Sequence, residues 1–281
     1  MEGARVSPRS GATRLDRAQF VLLGALLALA VVAWLVTKER MGTMESMPGM
    51  GLGALGFFVT VWVVMMVAMM FPAVAPTVLT YDRLREDRRA RGEGAVAEAT
   101  PLFVAGYLVV WAMAGLAAYA LYELVRAIDP AFLVWDDAGR YVAGGVIVAA
   151  AVYQVTALKQ ACLARCRTPM MVLAERWRDG RAGALGLGIR YGTWCLGCCW
   201  ALMAALFALG VMSLGWMALI TIFIVAERLL PWPTAARGAV ALSLLALGLG
   251  VAFFPADVPG FAEPAGGGMH GGDRDSMQMM P

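Results

Sequence analysis

Long apolar runs separated by short charged segments make up most of this 281-residue chain. A helix needs about 20 mostly apolar residues to cross the hydrocarbon core of a membrane, and seven runs approach that length. The runs are 20–36, 53–79, 102–125, 141–157, 187–211, 212–230 and 239–254. Because these runs are continuous and do not alternate with polar residues, helices are favoured over transmembrane strands. The pattern predicts an all-α fold, a polytopic transmembrane bundle of about seven helices.

The composition also indicates a membrane protein. Hydrophobic residues make up 60% of the chain, charged residues make up 15%, and the mean hydropathy is +0.70. A soluble domain of this size is less apolar. We therefore predict a single transmembrane helical domain at 20–254, between a basic cytoplasmic segment at 1–19 and a flexible outer tail at 255–281 that is rich in Gly, Met and His. The first run resembles the start of a signal peptide, but no clean cleavage site follows it, so we interpret it as a retained helix.

The distribution of basic residues predicts the orientation. Loops rich in Lys and Arg stay on the cytoplasmic side, and most of the 23 Lys and Arg residues share one side if the amino terminus is inside. The residues on the other side are Lys38, Arg40, Arg126, Arg140 and Arg274. This predicts a multi-pass protein of a bacterial-type inner (plasma) membrane, with the carboxyl terminus outside and the lipid bilayer as its first partner. The charged segment 81–91 suits lipid headgroups, and we expect no nucleic-acid partner.

Three of the five cysteines lie close together in one apolar run, in the sequence YGTWCLGCCWALM at 191–203. In a helix Cys195, Cys198 and Cys199 stand at i, i+3 and i+4, so their side chains share one face, which Met203 continues. Thiol groups placed this way can bind a soft ion such as Cu(I), which prefers sulfur ligands. The alternative is that these cysteines only pack, because cysteine is also a small, readily buried hydrophobe.

Methionine and histidine supply three further groups of soft donors. They are Met65, Met66, Met69 and Met70 in the second run; Met41, Met44, Met47 and Met50 in the loop predicted after the first run; and Met269 with His270 in the tail. At 1.5 Å per residue the first group lies about as deep in the membrane as Cys198. Thioether sulfur binds Cu(I) without the oxidation hazard of a thiol. The alternatives are core packing, a stripe on the lipid interface and an inert tail.

The predicted orientation separates the two kinds of sulfur. All five cysteines, including Cys162 and Cys166 at i, i+4 after the fourth run, fall in the inner half of the membrane or at its inner surface. The exposed methionines fall outside, where thiols would be oxidised more readily. This predicts capture of Cu(I) by methionine outside and acceptance by cysteine inside. We interpret Glu227 and Arg228 as a structural ion pair, with a carboxylate supplied beside Cys195 as the alternative.

Taken together, several motifs resemble a known family, the predicted metal-binding integral membrane proteins, a domain of unknown function sometimes labelled copper chaperone. The matching segments are MMVAMMFP at 65–72, YQVTALK at 153–159, CLARCRTP at 162–169, WRDG at 177–180, CLGCCWALM at 195–203, and Glu227. The resemblance implies that the five cysteines and the group from Met65 to Met70 bind metal. Many family members have histidine where this chain has Tyr191, so the resemblance implies a site of sulfur alone, which favours Cu(I) over zinc.

Three functions fit these patterns. The first is capture of Cu(I) and its transfer between soluble copper donors or acceptors, or its delivery to a membrane cuproenzyme complex. The second is a non-catalytic subunit or assembly factor of a larger membrane complex, in which the sulfur atoms pack. The third is a membrane thiol–disulfide oxidoreductase that uses the Cys195/Cys198 and Cys162/Cys166 pairs. With one histidine in the chain, an acid–base enzyme is disfavoured.

Overall fold

The computed structural model describes residues 17–45, 55–92, 96, 98–128, 139–175, 177–210 and 213–255, and these residues form helices and short connections without strands. The helices are α1 (Arg17–Glu45), α2 (Leu55–Ala90), α3 (Ala99–Ile128), α4 (Arg140–Gln154), α5 (Ala157–Arg167), α6 (Pro169–Glu175), α7 (Gly180–Leu209), α8 (Leu214–Leu229) and α9 (Pro233–Phe253). The all-α prediction is confirmed for this part of the chain. Most of the basic amino-terminal segment and of the outer tail lies outside it.

Five of the described helices are long and apolar enough to cross a membrane: α1, α2, α3, α7 and α9. A sixth apolar stretch is formed by α4 and α5 together, which are bent by 65° at their break. Helix α8 has 16 residues, so it is about 24 Å long and shorter than a typical hydrocarbon core. The predicted count of seven is therefore not confirmed. Six crossings would leave both chain ends on one side of the membrane, so the outer carboxyl terminus stays a prediction.

Helices α1 and α2 run far beyond the carboxyl ends of the apolar segments that predicted them. Helix α1 continues through Lys38 and Arg40 to Glu45, so Met41 and Met44 lie on a helix and not in the predicted loop. Helix α2 continues past the predicted end at 79 to Ala90. The physical reason is the same in both cases. A charged residue ends an apolar run, but the helix continues because Lys, Arg and Glu are good helix formers.

The fourth predicted helix ends early, because Thr156 begins a new one. Its backbone is extended (φ −69°, ψ 151°), and its hydroxyl oxygen accepts a hydrogen bond from the Lys159 backbone N–H at 3.3 Å. Threonine in this conformation is a typical N-cap residue. The chain therefore turns after Gln154, and Cys162 and Cys166 lie on a separate helix that is directed toward α7.

Helix α7 lies at the centre of the bundle, where it packs against α3, α4, α5 and α8. Glycines bring α3 and α7 into close backbone contact: a Cβ atom added at Gly106 or Gly188 would clash with a carbonyl oxygen of the facing helix. Small residues at such a seam are typical of membrane helix pairs, because they allow close van der Waals packing. The seam holds Tyr107 of α3 against the cysteines of α7.

Candidate metal centre

The three clustered cysteines of α7 face the interior of the helix bundle and not its surface. Cys195, Cys198 and Cys199 are 0%, 1% and 2% exposed. Their segment is helical, as predicted, and the helix brings the Sγ atoms of Cys198 and Cys199 to 3.3 Å from each other. Cys198 also directs its thiol at the Cys195 carbonyl oxygen, 3.1 Å away.

A second helix adds thiols to this group. The Sγ atom of Cys166 on α5 lies 3.7 Å from that of Cys198. Two thiolates that bind one ion tetrahedrally at about 2.3 Å are separated by about 3.8 Å, so this sulfur–sulfur distance suits two ligands of the same ion. Cys162 is also buried, and its Sγ atom lies against α7 at Gly197, where an added Cβ would approach it to 2.8 Å. The fold therefore gathers all five predicted cysteines around one segment of α7.

Arg228 of α8 is in direct contact with the sulfur atoms. Its Nη2 atom donates to Cys195 Sγ at 2.8 Å and to Cys198 Sγ at 3.5 Å. Its Nη1 atom donates to the Tyr191 hydroxyl at 3.3 Å. Sequence reasoning did not assign this arginine to the metal centre, although a charged residue inside an apolar run is itself a signal of function.

Glu227 pairs with Lys159 of α5, so its interpretation as the partner of Arg228 is wrong. The Lys159 Nζ to Glu227 Oε2 distance is 2.6 Å, and the two side chains are 1% and 2% exposed. Successive residues of a helix do not face each other, which explains why neighbours in the sequence have different partners. The guanidinium of Arg167 donates to the carbonyl oxygens of Glu227 and Leu230, and these contacts fasten α5 to the end of α8.

Two tyrosines complete the polar surroundings. The Tyr107 hydroxyl lies 3.2 Å from Cys195 Sγ, a contact that nothing in the sequence pattern predicted. The Tyr191 hydroxyl is hydrogen-bonded to Thr77 at 2.9 Å and donates to the Cys166 carbonyl oxygen at 3.4 Å. The position at which histidine was expected from the family resemblance thus holds a phenol that links α2, α5 and α7 beside the thiols.

Two buried methionines of α2, Met69 and Met70, lie at about the depth of Cys199 and Cys198, and Met65 and Met66 lie about one turn further along, near Met203. Two contacts between α2 and α7 fix the register of these helices: the hydrogen bond of Thr77 to Tyr191, and the Trp62 ring stacked on Phe207 with centroids 5.6 Å apart. These contacts show that α2 and α7 are antiparallel. Counting residues from the two contacts places Met69 level with Cys199. The methionines that share this arrangement are Met65, Met66, Met69 and Met70 on α2 and Met203 on α7, all of them buried.

The outer donors stay predictions. The structure gives the backbone of Met41 and Met44, both within α1. Met47, Met50, Met269 and His270 lie outside the described residues. Within the described ranges, no group of three or more Cys, His, Asp or Glu side chains is already arranged as a metal site. Instead, the Sγ atom of Cys198 lies between those of Cys166, at 3.7 Å, and Cys199, at 3.3 Å, and we call these three the sulfur chain. The guanidinium of Arg228 contacts Cys195 and Cys198. A soft ion that needs only two or three sulfur ligands fits this donor set better than one that needs a closed cage.

The comparison with known families agrees with this chemistry. No curated protein and no solved structure matches the chain. A family model described as PpoB2, copper chaperone, matches residues 59–251. The matched segment contains all five cysteines, the group from Met65 to Met70, and Arg228, and it confirms the resemblance that the motifs indicated. The match covers more than half of the chain, which therefore belongs to the PpoB2 copper chaperone family.

Proposed function

We propose that this protein is an integral membrane copper carrier that binds Cu(I) at the buried thiols and passes it to an acceptor. One observation carries the proposal: thiols from α5 and α7 meet inside the bundle, with Cys166 Sγ 3.7 Å from Cys198 Sγ, in a chain of a copper chaperone family. Cu(I) is the substrate in this proposal. Cys198 holds it together with one or two of Cys166, Cys195 and Cys199.

The sulfur chain suits a carrier. A carrier must release its ion, and soft ions move between sulfur ligands by exchange, in which a new metal–sulfur bond forms before an old one breaks. No electron is transferred in such a step. Neighbouring thiols at 3.3 Å and 3.7 Å from Cys198 Sγ offer the ion successive partners at short range.

Simple packing explains less of the geometry. A cysteine that acts as a hydrophobe needs apolar neighbours, whereas Cys195 has the Arg228 guanidinium at 2.8 Å and the Tyr107 hydroxyl at 3.2 Å. Burying an arginine beside a thiol is costly unless the sulfur carries or acquires negative charge. The surroundings of Cys195 and Cys198 therefore favour sulfur atoms that act as anions, as metal-binding thiolates do.

The route and the partners belong to the same proposal. The methionines of the outer segments, Met41, Met44, Met47 and Met50 with Met269 and His270, capture Cu(I) on the outer side. The route inward passes the buried methionines of α2, of which Met69 and Met70 lie level with the thiols. The acceptor is a soluble copper protein or a membrane cuproenzyme, and the membrane is a bacterial-type inner membrane with the amino terminus inside.

The test is anaerobic loading of the purified full chain with Cu(I), followed by measurement of bound copper and of its affinity in competition with a Cu(I) chelator. We expect stoichiometric binding in the wild type and its loss in Cys195→Ser/Cys198→Ser/Cys199→Ser. The matched control is Met113→Leu, which replaces a sulfur on the exposed surface of α3 and should bind copper as the wild type does. Unchanged binding in the triple variant would overturn the proposed site. A reversible Cys166–Cys198 disulfide in a protein that binds no copper would favour the oxidoreductase alternative.

A further inference from the structure

Arg228 places a permanent positive charge inside the bundle. The guanidinium stays protonated in proteins, and the residue is only 6% exposed. Its described hydrogen-bond acceptors are two sulfur atoms and one hydroxyl oxygen, those of Cys195, Cys198 and Tyr191. A charge buried this deeply needs an opposite charge close by.

The other charged groups around the thiols leave the charge of Arg228 uncompensated. Lys159 and Glu227 form their own ion pair at 2.6 Å and cancel each other. Arg165 lies over the Trp194 ring, with its Cζ 4.1 Å from the ring centroid. Arg167 donates to backbone carbonyl oxygens at the end of α8. The Tyr191 hydroxyl next to Arg228 donates its hydrogen to the Cys166 carbonyl oxygen, and phenols ionise less readily than thiols. Among the described contacts of Arg228, negative charge therefore falls to the sulfur atoms of Cys195 and Cys198.

We propose that Arg228 makes the centre selective for a monovalent soft cation over a divalent one, an inference that rests on the proposed function. With the thiolates of Cys195 and Cys198, the arginine leaves one net negative charge, which a monovalent ion neutralises. A divalent ion at the same ligands would leave a net positive charge in an apolar interior. At any given position, the fixed charge of Arg228 repels a divalent ion twice as strongly as a monovalent one.

A third thiolate could compensate a divalent ion, but only with an additional proton loss. Cys199 and Cys166 both lie within contact distance of Cys198 and could supply that thiolate. Each ligand thiol must lose its proton when it binds metal, so divalent binding requires one more proton to leave than monovalent binding does. Arg228 therefore acts as a specificity-determining residue through its charge, and it need not bind the metal itself.

The experiment compares affinities for Ag(I), a monovalent soft ion that is stable to oxidation, and Cd(II), a divalent one. Full-length protein in detergent is titrated with each ion in competition with a chelator, and binding is followed by the ultraviolet absorption of the metal–thiolate bonds. We expect the Ag(I)-to-Cd(II) affinity ratio to fall at least about tenfold in Arg228→Gln and in Arg228→Met. Arg228→Lys keeps the charge and should largely preserve the ratio.

A wild-type measurement covers the case in which neither uncharged variant folds, as judged by gel filtration and thermal unfolding. Binding of Cd(II) should release about one more proton per ion than binding of Ag(I), measured from the dependence of each affinity on pH. Equal proton release for the two ions, or an unchanged affinity ratio in a folded Arg228→Gln protein, would overturn the proposed role of Arg228 and leave the proposed function standing. Failure of the wild type to bind either Ag(I) or Cu(I) would overturn the proposed function as well.

Discussion

Helices α1 and α7 are both long and apolar, yet they occupy opposite environments. In the most apolar stretch of α1, 22% of the residues are buried inside the bundle, whereas the corresponding share of α7 is 56%. This stretch of α1 is nevertheless more hydrophobic than the corresponding stretch of α7. In water the more hydrophobic helix would lie inside, but lipid tails are as apolar as a leucine side chain, so hydrophobicity does not drive α1 into the bundle.

The position of polar groups explains the difference. Helix α7 carries thiols, glycines and Tyr191, and its neighbours bring Arg228 and the Lys159–Glu227 pair toward it. Such groups are costly in contact with lipid and therefore face the bundle interior. Helix α1 has an open glycine, Gly24, with nothing within 4 Å of an added Cβ. The comparison shows that the buried thiols and charged groups lie on and around the less apolar helix, inside the bundle.

The largest expected effect comes from breaking the buried ion pair. Glu227→Ala leaves the Lys159 ammonium without its partner in the bundle interior, and we expect it to lower the free energy of unfolding by about 3–5 kcal/mol. Unfolding of the purified protein by SDS in detergent micelles measures this change. Replacing both residues, in Lys159→Met/Glu227→Met, should recover most of the loss, because no unpaired charge remains.

An exposed ion pair of the same chain provides the control. Glu98 and Arg181 are 2.8 Å apart, but their side chains are 60% and 70% exposed. Glu98→Ala should change the free energy of unfolding by about 1 kcal/mol or less. Similar losses at the two glutamates would show that burial does not decide the cost of losing an ion pair, contrary to the comparison of α7 with the more exposed α1.

The sequence predicts the helices and the helical spacing of the α7 cysteines well, but not the sulfur contacts between helices. Periodicity alone placed Cys195, Cys198 and Cys199 on one side of a helix, because spacing within a helix is a local property. The contact of Cys166 with Cys198 depends on the break at Thr156, whose capping conformation redirects α5 by 65°. The predicted run 141–157 passes through Thr156, where no Gly or Pro marks the break.

Glu227 and Arg228 show a second limit of prediction from the sequence: it does not identify the partner of a buried charge. The sequence marked Glu227 and Arg228 as costly residues at the membrane edge but gave the wrong partner, since the partner of Glu227 lies on another helix. The number of membrane spans also depends on contacts between helices, which the sequence does not show. Helix α8 is too short to be counted by length, and whether a 16-residue helix crosses the membrane depends on its tilt and neighbours.

A smaller effect is expected from the seam between α3 and α7. Gly188→Ala places a methyl group against the Phe103 carbonyl oxygen, which belongs to a helix backbone and cannot move aside alone. We expect a loss of about 1–3 kcal/mol in the free energy of unfolding in SDS, as for other overpacked interiors. The loss should be accompanied by weaker copper binding, because the seam also holds Tyr107 beside Cys195.

A glycine-to-alanine substitution on α1 should not lower the free energy of unfolding. Gly24→Ala meets open space and improves helix propensity, so it should leave stability unchanged or raise it by up to about 1 kcal/mol. A destabilisation of equal size at Gly24 and Gly188 would mean that α1 is packed as tightly as α7, which would contradict the comparison.

The smallest effect concerns a single hydroxyl group beside the thiols. Tyr107→Phe removes the contact at 3.2 Å with Cys195 Sγ but keeps the ring that packs on Tyr191. We expect a change of about 1 kcal/mol in stability and a few-fold weaker affinity for Cu(I) in chelator competition, since one hydrogen bond to the ligand sulfur is lost. Tyr122→Phe, on the same helix but 42% exposed, is the matched control and should leave both quantities unchanged. Unchanged Cu(I) affinity in Tyr107→Phe would contradict the support that this hydrogen bond gives to Cys195 as a ligand, and it would favour a centre of Cys166, Cys198 and Cys199.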